Sequence, residues 1–228
     1  MIQLEGISKV YQTDEMETHA LRGVDLTISK GDYLSISGPS GCGKSTLLSI
    51  LGLLDTPSAG RYTINGQDVT LLDSDQRSEV RNRNIGLVFQ SFNLIDGLSV
   101  AENVALPLHY RGIPRDEIKD KVSNALNQVE LGHRLSHRPN QLSGGQQQRV
   151  AIARAIVGEP SLLLVDEATG NLDTKNSLAV MALLQSLNEK GTTICMVTHE
   201  PQFAAEAKTR LQLLDGGLVT DDSLRKAI

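Results

Sequence analysis

Two short stretches of this 228-residue chain carry residue types suited to holding phosphate. Gly38-Pro39-Ser40-Gly41-Cys42-Gly43-Lys44-Ser45 is a complete P-loop. In such a loop the backbone N–H groups wrap the phosphates of a nucleotide and the lysine reaches the outer ones. Gly38, Ser40, Gly41, Cys42, Gly43 and Thr46 are therefore candidate nucleotide contacts. Lys44 suits neutralisation of β/γ oxygens and the Ser45 hydroxyl suits ligation of Mg2+. Cys42 reads as a small side chain tolerated in the loop rather than a redox switch. Farther along, Leu142-Ser143-Gly144-Gly145-Gln146 offers a second phosphate-binding element. A single copy does not need it for its own nucleotide, which suggests a site completed by another copy.

A pair of acids adds to the chemistry. The apolar run Leu162-Leu163-Leu164-Val165 ends in Asp166-Glu167, a strand delivering two carboxylates at its end. Asp166 suits Mg2+, held through water. Glu167, one residue on, points elsewhere and can orient or deprotonate an attacking water.

These groups need a scaffold, and the pattern supplies an α/β one. Tyr33–Ser37 reads as a strand ending in the glycine loop, and Ser45 to Leu54 as the helix after it, the context that a working P-loop requires. Leu26–Ser29 and Arg61–Ile64 read as short strands, the latter running into the hairpin signal Asn65-Gly66. The middle changes character. Ser99 and Glu102 form a capping box, Pro114 suits the first turn of a further helix, and Ile118, Val122, Ala125, Leu126 and Val129 share one helical face. Residues 91–142 are expected to be a helical subdomain inserted between 1–90 and 143–228 of a single domain. Leu162–Val165, Thr193–Val197 and Arg210–Leu214 then read as buried parallel strands, with a turn at Asp215-Gly216-Gly217.

Composition narrows the class. With 22 basic and 27 acidic residues the net charge is −5, which gives no nucleic-acid footprint. Cys42 and Cys195 form no disulfide framework, and the histidines and cysteines show no zinc spacing. Met1-Ile2-Gln3-Leu4-Glu5 lacks the basic leader and apolar core of a signal peptide. No apolar stretch approaches the roughly 20 residues of a membrane helix, so a membrane role is expected through a partner and not by direct lipid insertion.

Taken with these motifs, the chain resembles the ATP-binding cassette (ABC) ATPases over essentially its whole length. Leu142–Gln146 resembles the family signature, and Gln147-Gln148-Arg149-Val150-Ala151-Ile152-Ala153-Arg154-Ala155 the helix that follows it. The resemblance implies a P-loop NTPase (RecA-like) core, an N-terminal antiparallel β-subdomain and an inserted α-helical subdomain. It further implies ATP sandwiched between two copies meeting head-to-tail. Ser143, Gly144, Gly145 and Gln146 would then bind the γ-phosphate of the opposite copy at a helix N-terminus. Tyr11 resembles the aromatic that stacks on adenine. Gln90 resembles the glutamine that contacts Mg2+ and the attacking water. His199 resembles the switch histidine on the γ-phosphate, and Asp173, in Gly170-Asn171-Leu172-Asp173, the D-loop residue at the dimer seam.

Within the family, Leu51–Gly60, Ile85–Leu94, Glu102–Leu108 and Thr169–Asp173 resemble the lipoprotein-releasing and macrolide-exporting ATPases, while Ala168 departs from that group's usual proline. The implied function is ATP hydrolysis powering a separate integral-membrane permease at the cytoplasmic face of a bacterial inner membrane. Alternatives are an ATP-gated regulator of the cell-division type, an uptake subunit, or a soluble ABC ATPase without a transport role. Phe92 and Leu94 are read either as the groove where a permease docks or as plain packing.

Overall fold

The chain opens with two long strands, β1 (Ile2–Gln12) and β2 (Glu17–Ile28), followed by β3 (Tyr33–Ser37), the glycine loop and α1 (Lys44–Leu51). A hairpin of β4 (Ala59–Ile64) and β5 (Gln67–Asp68) leads to α2 (Ser74–Asn84) and β6 (Ile85–Val88). Next come α3 (Val100–Tyr110), α4 (Arg115–Gln128), a 3-10 turn at Pro139–Gln141, and α5 (Gly144–Ile156). The chain continues through β7 (Leu162–Asp166), α6 (Thr174–Glu189), β8 (Ile194–Val197), a short α7 (Pro201–Ala204), β9 (Thr209–Leu214) and β10 (Gly217–Thr220). This computed structural model describes residues 1–12 and 16–220. Two compact units emerge: Met1–Arg81 with the chain from Thr193 onward, and Asn82–Thr192.

In the first unit β2, β1, β4 and β5 form an antiparallel sheet in that order. Its register is set by alternation: Ile2, Leu4 and Ile7 of β1 and Val24, Leu26 and Ile28 of β2 are buried, with a register shift between Leu4 and Ile7 that keeps the apolar side inward. The turn Asn65-Gly66 joins β4 to β5 with both residues at positive φ, as the sequence predicts. Separately, β3 pairs in parallel with β8 and with β9, and β10 pairs antiparallel to β9. Tyr33, Leu34, Ser35 and Ile36 are all buried, so β3 is covered on both faces, and the Ser35 hydroxyl is satisfied by the Ala204 carbonyl at 3.0 Å. Ile36, Leu47, Ile50, Leu51, Ile194 and Leu213 fill this core, each contributing about 1.5–3 kcal/mol by burial. The α1 helix stops at Leu51, short of the predicted Leu54, because Gly52 caps it and Leu53 turns left-handed at φ 53°.

In the second unit β6 pairs in parallel with β7. The predicted capping box opens α3: Glu102 N donates to Ser99 Oγ at 3.2 Å and Ser99 N donates to Glu102 Oε2 at 2.8 Å. Ile118, Val122, Ala125 and Leu126 form the buried face of α4, as their spacing predicts. Pro114 sits at the N-cap of α4, one position before the first turn expected for it, because its missing N–H removes nothing there. Arg111 braces this unit, donating to the carbonyls of Gly158 and Asn82. The α2 helix has no buried residue at all, so no apolar periodicity marked it in the sequence.

Candidate functional site

The phosphate loop is shaped by glycine. Gly38 has φ 153° and Gly43 has φ 106°, both in the region that disfavours side chains. A Cβ on Gly38 would lie 2.2 Å from the Leu213 carbonyl oxygen, and one on Gly43 would lie 2.3 Å from that of Ala20. Strands β9 and β2 therefore crowd the loop from outside, and only glycine fits. The loop is further pinned by Gly216 N donating to Cys42 O at 3.1 Å. Cys42 is buried, in keeping with a small packing residue.

Lys44 begins α1 and its ammonium donates to the carbonyls of Gly38 at 2.9 Å and Pro39 at 2.8 Å. The positive charge thus lies over the loop, beside a helix N-terminus whose N–H groups carry partial positive charge. Ser40, Gly41 and Ser45 are exposed, with Thr46 half-buried behind them. His199 follows β8, is exposed, and lines a recess of about 190 Å3 with Ser37, Thr198, Glu200, Arg210 and Gln212. Ser37 directly precedes Gly38, so the recess adjoins the root of the phosphate loop. Tyr11, at the end of β1, is 42% exposed, and its hydroxyl donates to Asp55 Oδ2 at 2.9 Å.

The second unit gathers the remaining motifs. Asp166 ends β7 and Glu167 follows it with φ 45°, a left-handed conformation that a side chain adopts at a cost of about 1 kcal/mol or more. Both acids are half-buried. Gln90 lies two residues past β6. Its Nε2 donates to Asn171 Oδ1 at 3.3 Å, and Asn171 Nδ2 donates back to the Gln90 carbonyl at 3.0 Å. Gly170 lies so close that a Cβ there would meet Gln90 Nε2 at 2.6 Å.

The signature segment carries a second capping box. Ser143 caps α5, with Gln146 N donating to Ser143 Oγ at 3.4 Å and Ser143 N donating to Gln146 Oε1 at 3.0 Å. The spacing Ser143–Gln146 is the signal that could have announced this cap, and it matches the Ser99–Glu102 pattern. Ser143 remains exposed at the helix N-terminus, while Gly145 is buried. A Cβ on Gly144 would contact Leu172 at 3.4 Å and Phe92 at 3.8 Å. One on Gly145 would fall 2.3 Å from Asn176 Oδ1.

Asp173 is the N-cap of α6, accepting from Asn176 N at 2.8 Å and Asn176 Nδ2 at 2.7 Å. Those two bonds, the backbone one first, hold its carboxyl below the usual range. Phe92 and Asn93 both adopt positive φ, at 57° and 49°. Their carbonyls accept from the Arg154 guanidinium, at 2.8 Å in the case of Phe92. Gln148 Nε2 reaches the Phe89 carbonyl at 3.4 Å. Sequence reasoning assigned no role to Arg154, Gln148 or Asn176, because only the fold shows which backbone segments their side chains meet.

Comparison with known proteins agrees with this geometry. Residues 21–170 match the family model described as ABC transporter. The chain is 46% identical over 228 residues to YknY of Bacillus subtilis, named an uncharacterized ABC transporter ATP-binding protein, covering 100% of this chain and 99% of that protein. It is 46% identical over 221 residues to the macrolide export ATP-binding/permease protein MacB of Marinobacter nauticus, covering 97% of this chain and 34% of MacB. Among solved structures, it superposes with a TM-score of 0.86 on the dimeric ATP-binding cassette MJ0796 bound to ADP and phosphate. That match has 41% identity and covers 96% of this chain and 98% of the other. The strand–loop–helix at Lys44, the capped signature helix at Ser143 and these matches, which reach 96–100% of this chain among the relatives and solved structures, lead to one conclusion: the chain belongs to the ABC transporter family, as an ATP-binding cassette with the P-loop α/β fold, in the group that takes in the macrolide-export proteins.

Proposed function

We propose that this chain is the ATP-hydrolysing subunit of a transporter, working as a head-to-tail pair of copies that drives an integral-membrane permease. Membership of the family makes it an ATPase. The observation that carries the reading further is the phosphate loop itself, with no room for a side chain at Gly38 or Gly43 and the Lys44 ammonium lying over it.

In this reading the loop N–H groups and Lys44 bind the β/γ phosphates, and Tyr11 takes the adenine. Glu167 accepts a proton from the attacking water as its oxygen bonds to the γ-phosphorus. The bond from that phosphorus to the bridging oxygen breaks, leaving ADP and phosphate. Gln90 orients that water, and His199 holds the γ-phosphate. Ser143, Gly144, Gly145 and Gln146 of one copy close the site of the other, with Asp173 at the seam between them. Mg2+ would be held by Ser45, Gln90 and, through water, Asp166, and it supplies charge neutralisation at the phosphate oxygens. Among the described residues no cluster of three or more His, Cys, Asp or Glu could hold a metal alone. That fits an ion carried by a hydroxyl, an amide, a single acid and the nucleotide's own phosphates.

Among the described residues no helix is long and apolar enough to cross a membrane. MacB is named for both an ATP-binding and a permease function, and the present chain matches about a third of it, 34%. YknY is matched over 99% of its own length. In this reading the chain works at the cytoplasmic face of a bacterial inner membrane with a separate permease, and the permease function named in MacB supports a membrane partner. The deciding experiment uses Glu167→Gln with ATP. Sedimentation should show a stable dimer in which hydrolysis has stopped, and tagged protein should retain a permease from detergent-solubilised membranes. Turnover at the wild-type rate would remove Glu167 as the base, and recovery of ribosomal or DNA-associated proteins alone would overturn the transporter reading.

A further inference from the structure

Tyr11 does not stand alone on its strand. Its hydroxyl donates to Asp55 Oδ2 at 2.9 Å. The other carboxylate oxygen, Oδ1, accepts from Lys9 Nζ at 2.7 Å and from Thr56 N at 2.7 Å. Lys9 Nζ also donates to the Thr56 carbonyl at 2.7 Å, and it sits 5.0 Å from the centroid of the Tyr11 ring. The Lys9 side chain is only 11% exposed and that of Asp55 is 30% exposed, against 42% for Tyr11 as a residue.

This arrangement does two things to the ring. The hydroxyl bond fixes its tilt, since a phenol has one rotatable axis left once its oxygen is tethered. The ammonium occupies one face by a cation–π contact, leaving the other face for a partner. Asp55 is itself anchored behind α1, where Asp55 N donates to the Ser49 carbonyl at 3.2 Å. The helix that begins at Lys44 ends at Leu51, and the turn that follows it carries Asp55, which bonds back to Ser49 of the helix. The phosphate loop and the residue that holds Tyr11 are thus joined through α1 and its C-terminal turn.

We propose that Asp55 and Lys9 are positioning residues for the nucleotide base: they hold the Tyr11 ring at a set distance and tilt from the phosphate loop and close one of its faces, so that a purine stacks on the other. This rests on Tyr11 being the base-stacking residue. A preorganised ring loses little freedom when the base arrives, which raises affinity without a new contact to the nucleotide. The bonds described for Lys9 and Asp55 run to each other, to Tyr11, to Thr56 and to Ser49, so the effect is expected on the base and not on the phosphates.

The test is equilibrium binding of ATP and of inorganic tripolyphosphate to the full chain. It uses wild type, Tyr11→Ala, Tyr11→Phe, Asp55→Ala, Lys9→Met and the double variant Tyr11→Phe/Asp55→Ala. Tyr11→Ala should weaken ATP by about tenfold or more, the size of a lost stacking contact. Asp55→Ala and Tyr11→Phe should each weaken ATP by about three- to tenfold, and the double variant no further than either single one. Lys9→Met should fall in the same range, and tripolyphosphate binding should hold constant throughout. Constant tripolyphosphate binding also certifies that each variant folds with its loop intact. If Tyr11→Ala weakens ATP while Asp55→Ala and Lys9→Met leave it at wild type, the positioning role is overturned and the stacking role survives. If Tyr11→Ala leaves ATP affinity unchanged, the stacking role itself fails. Parallel loss of tripolyphosphate and ATP in Asp55→Ala would make Asp55 a general support of the loop and overturn the proposal.

Discussion

Gln90 and Asn171 are tied to each other in both directions, side-chain amide to side-chain amide at 3.3 Å and side-chain amide to main-chain carbonyl at 3.0 Å. The relationship joins the segment after β6 to the segment after β7, with Gly170 leaving room for the Gln90 side chain. A glutamine held this way is positioned before any ligand arrives. Asn171→Ala removes both bonds without adding bulk. It should lower kcat by roughly tenfold through misplacement of Gln90 while leaving nucleotide affinity near wild type, measured by steady-state hydrolysis alongside ATP binding. An unchanged kcat would mean that Gln90 needs no tether.

Arg154 holds two consecutive left-handed residues by their carbonyls. Burial pushes its pKa down, yet an arginine stays charged, and its fork matches two adjacent carbonyls where a lysine has one ammonium. Arg154→Met should cost about 1–3 kcal/mol in urea unfolding, the penalty for leaving carbonyls without partners. Arg154→Lys should recover only part of that loss.

Gly145 faces Asn176, whose side chain is pinned by two bonds to Asp173. In Gly145→Ala the new methyl would lie 2.6 Å from Asn176 Cγ and 2.9 Å from its Cβ, so a rotation of the amide does not relieve it. Thermal unfolding should report a loss of about 1–3 kcal/mol. Adding Asn176→Ala should restore a fraction, because it removes the amide but leaves the Cβ.

Glu167 is held at φ 45°. Glu167→Gly should unfold at a higher temperature than Glu167→Gln, by about 0.5–1 kcal/mol in stability, since glycine enters this conformation without strain. Equal stabilities would show that the local conformation relaxes in the variants.

Cys195 lies inside the core on β8, and burial pushes its thiol up to about 12 from an ordinary value of 9.0. The folded state therefore keeps the proton that the unfolded chain releases. The stability linked to this group is fully present below pH 9 and is lost as pH rises from there toward about 12. Cys195→Ala should flatten that alkaline decline, followed by urea unfolding between pH 8 and about 11. In the native protein Cys195 should react with iodoacetamide only as fast as the chain unfolds.

The sequence by itself determined the chemistry and the local frames that present it. The P-loop spacing from Gly38 to Ser45, the apolar strand ending in Asp166-Glu167, the Asn65-Gly66 turn and the Ser99–Glu102 cap are all local patterns. Each is set by a residue's own backbone preference or by a neighbour a few positions away, and each recurs in the structure where the sequence puts it. What only the tertiary structure decided are the long-range meetings: Arg154 with Phe92, Gln90 with Asn171, Gly145 with Asn176, and Asp55 with Tyr11. Their partners lie tens of residues apart in all these pairs, and no periodicity links them. The helix α2 escaped notice for the complementary reason, since a segment that buries nothing leaves no apolar stripe to read. Polar side chains that bond to distant backbone carry their meaning in three dimensions, because the same Arg or Asn on an open surface would look identical in the sequence.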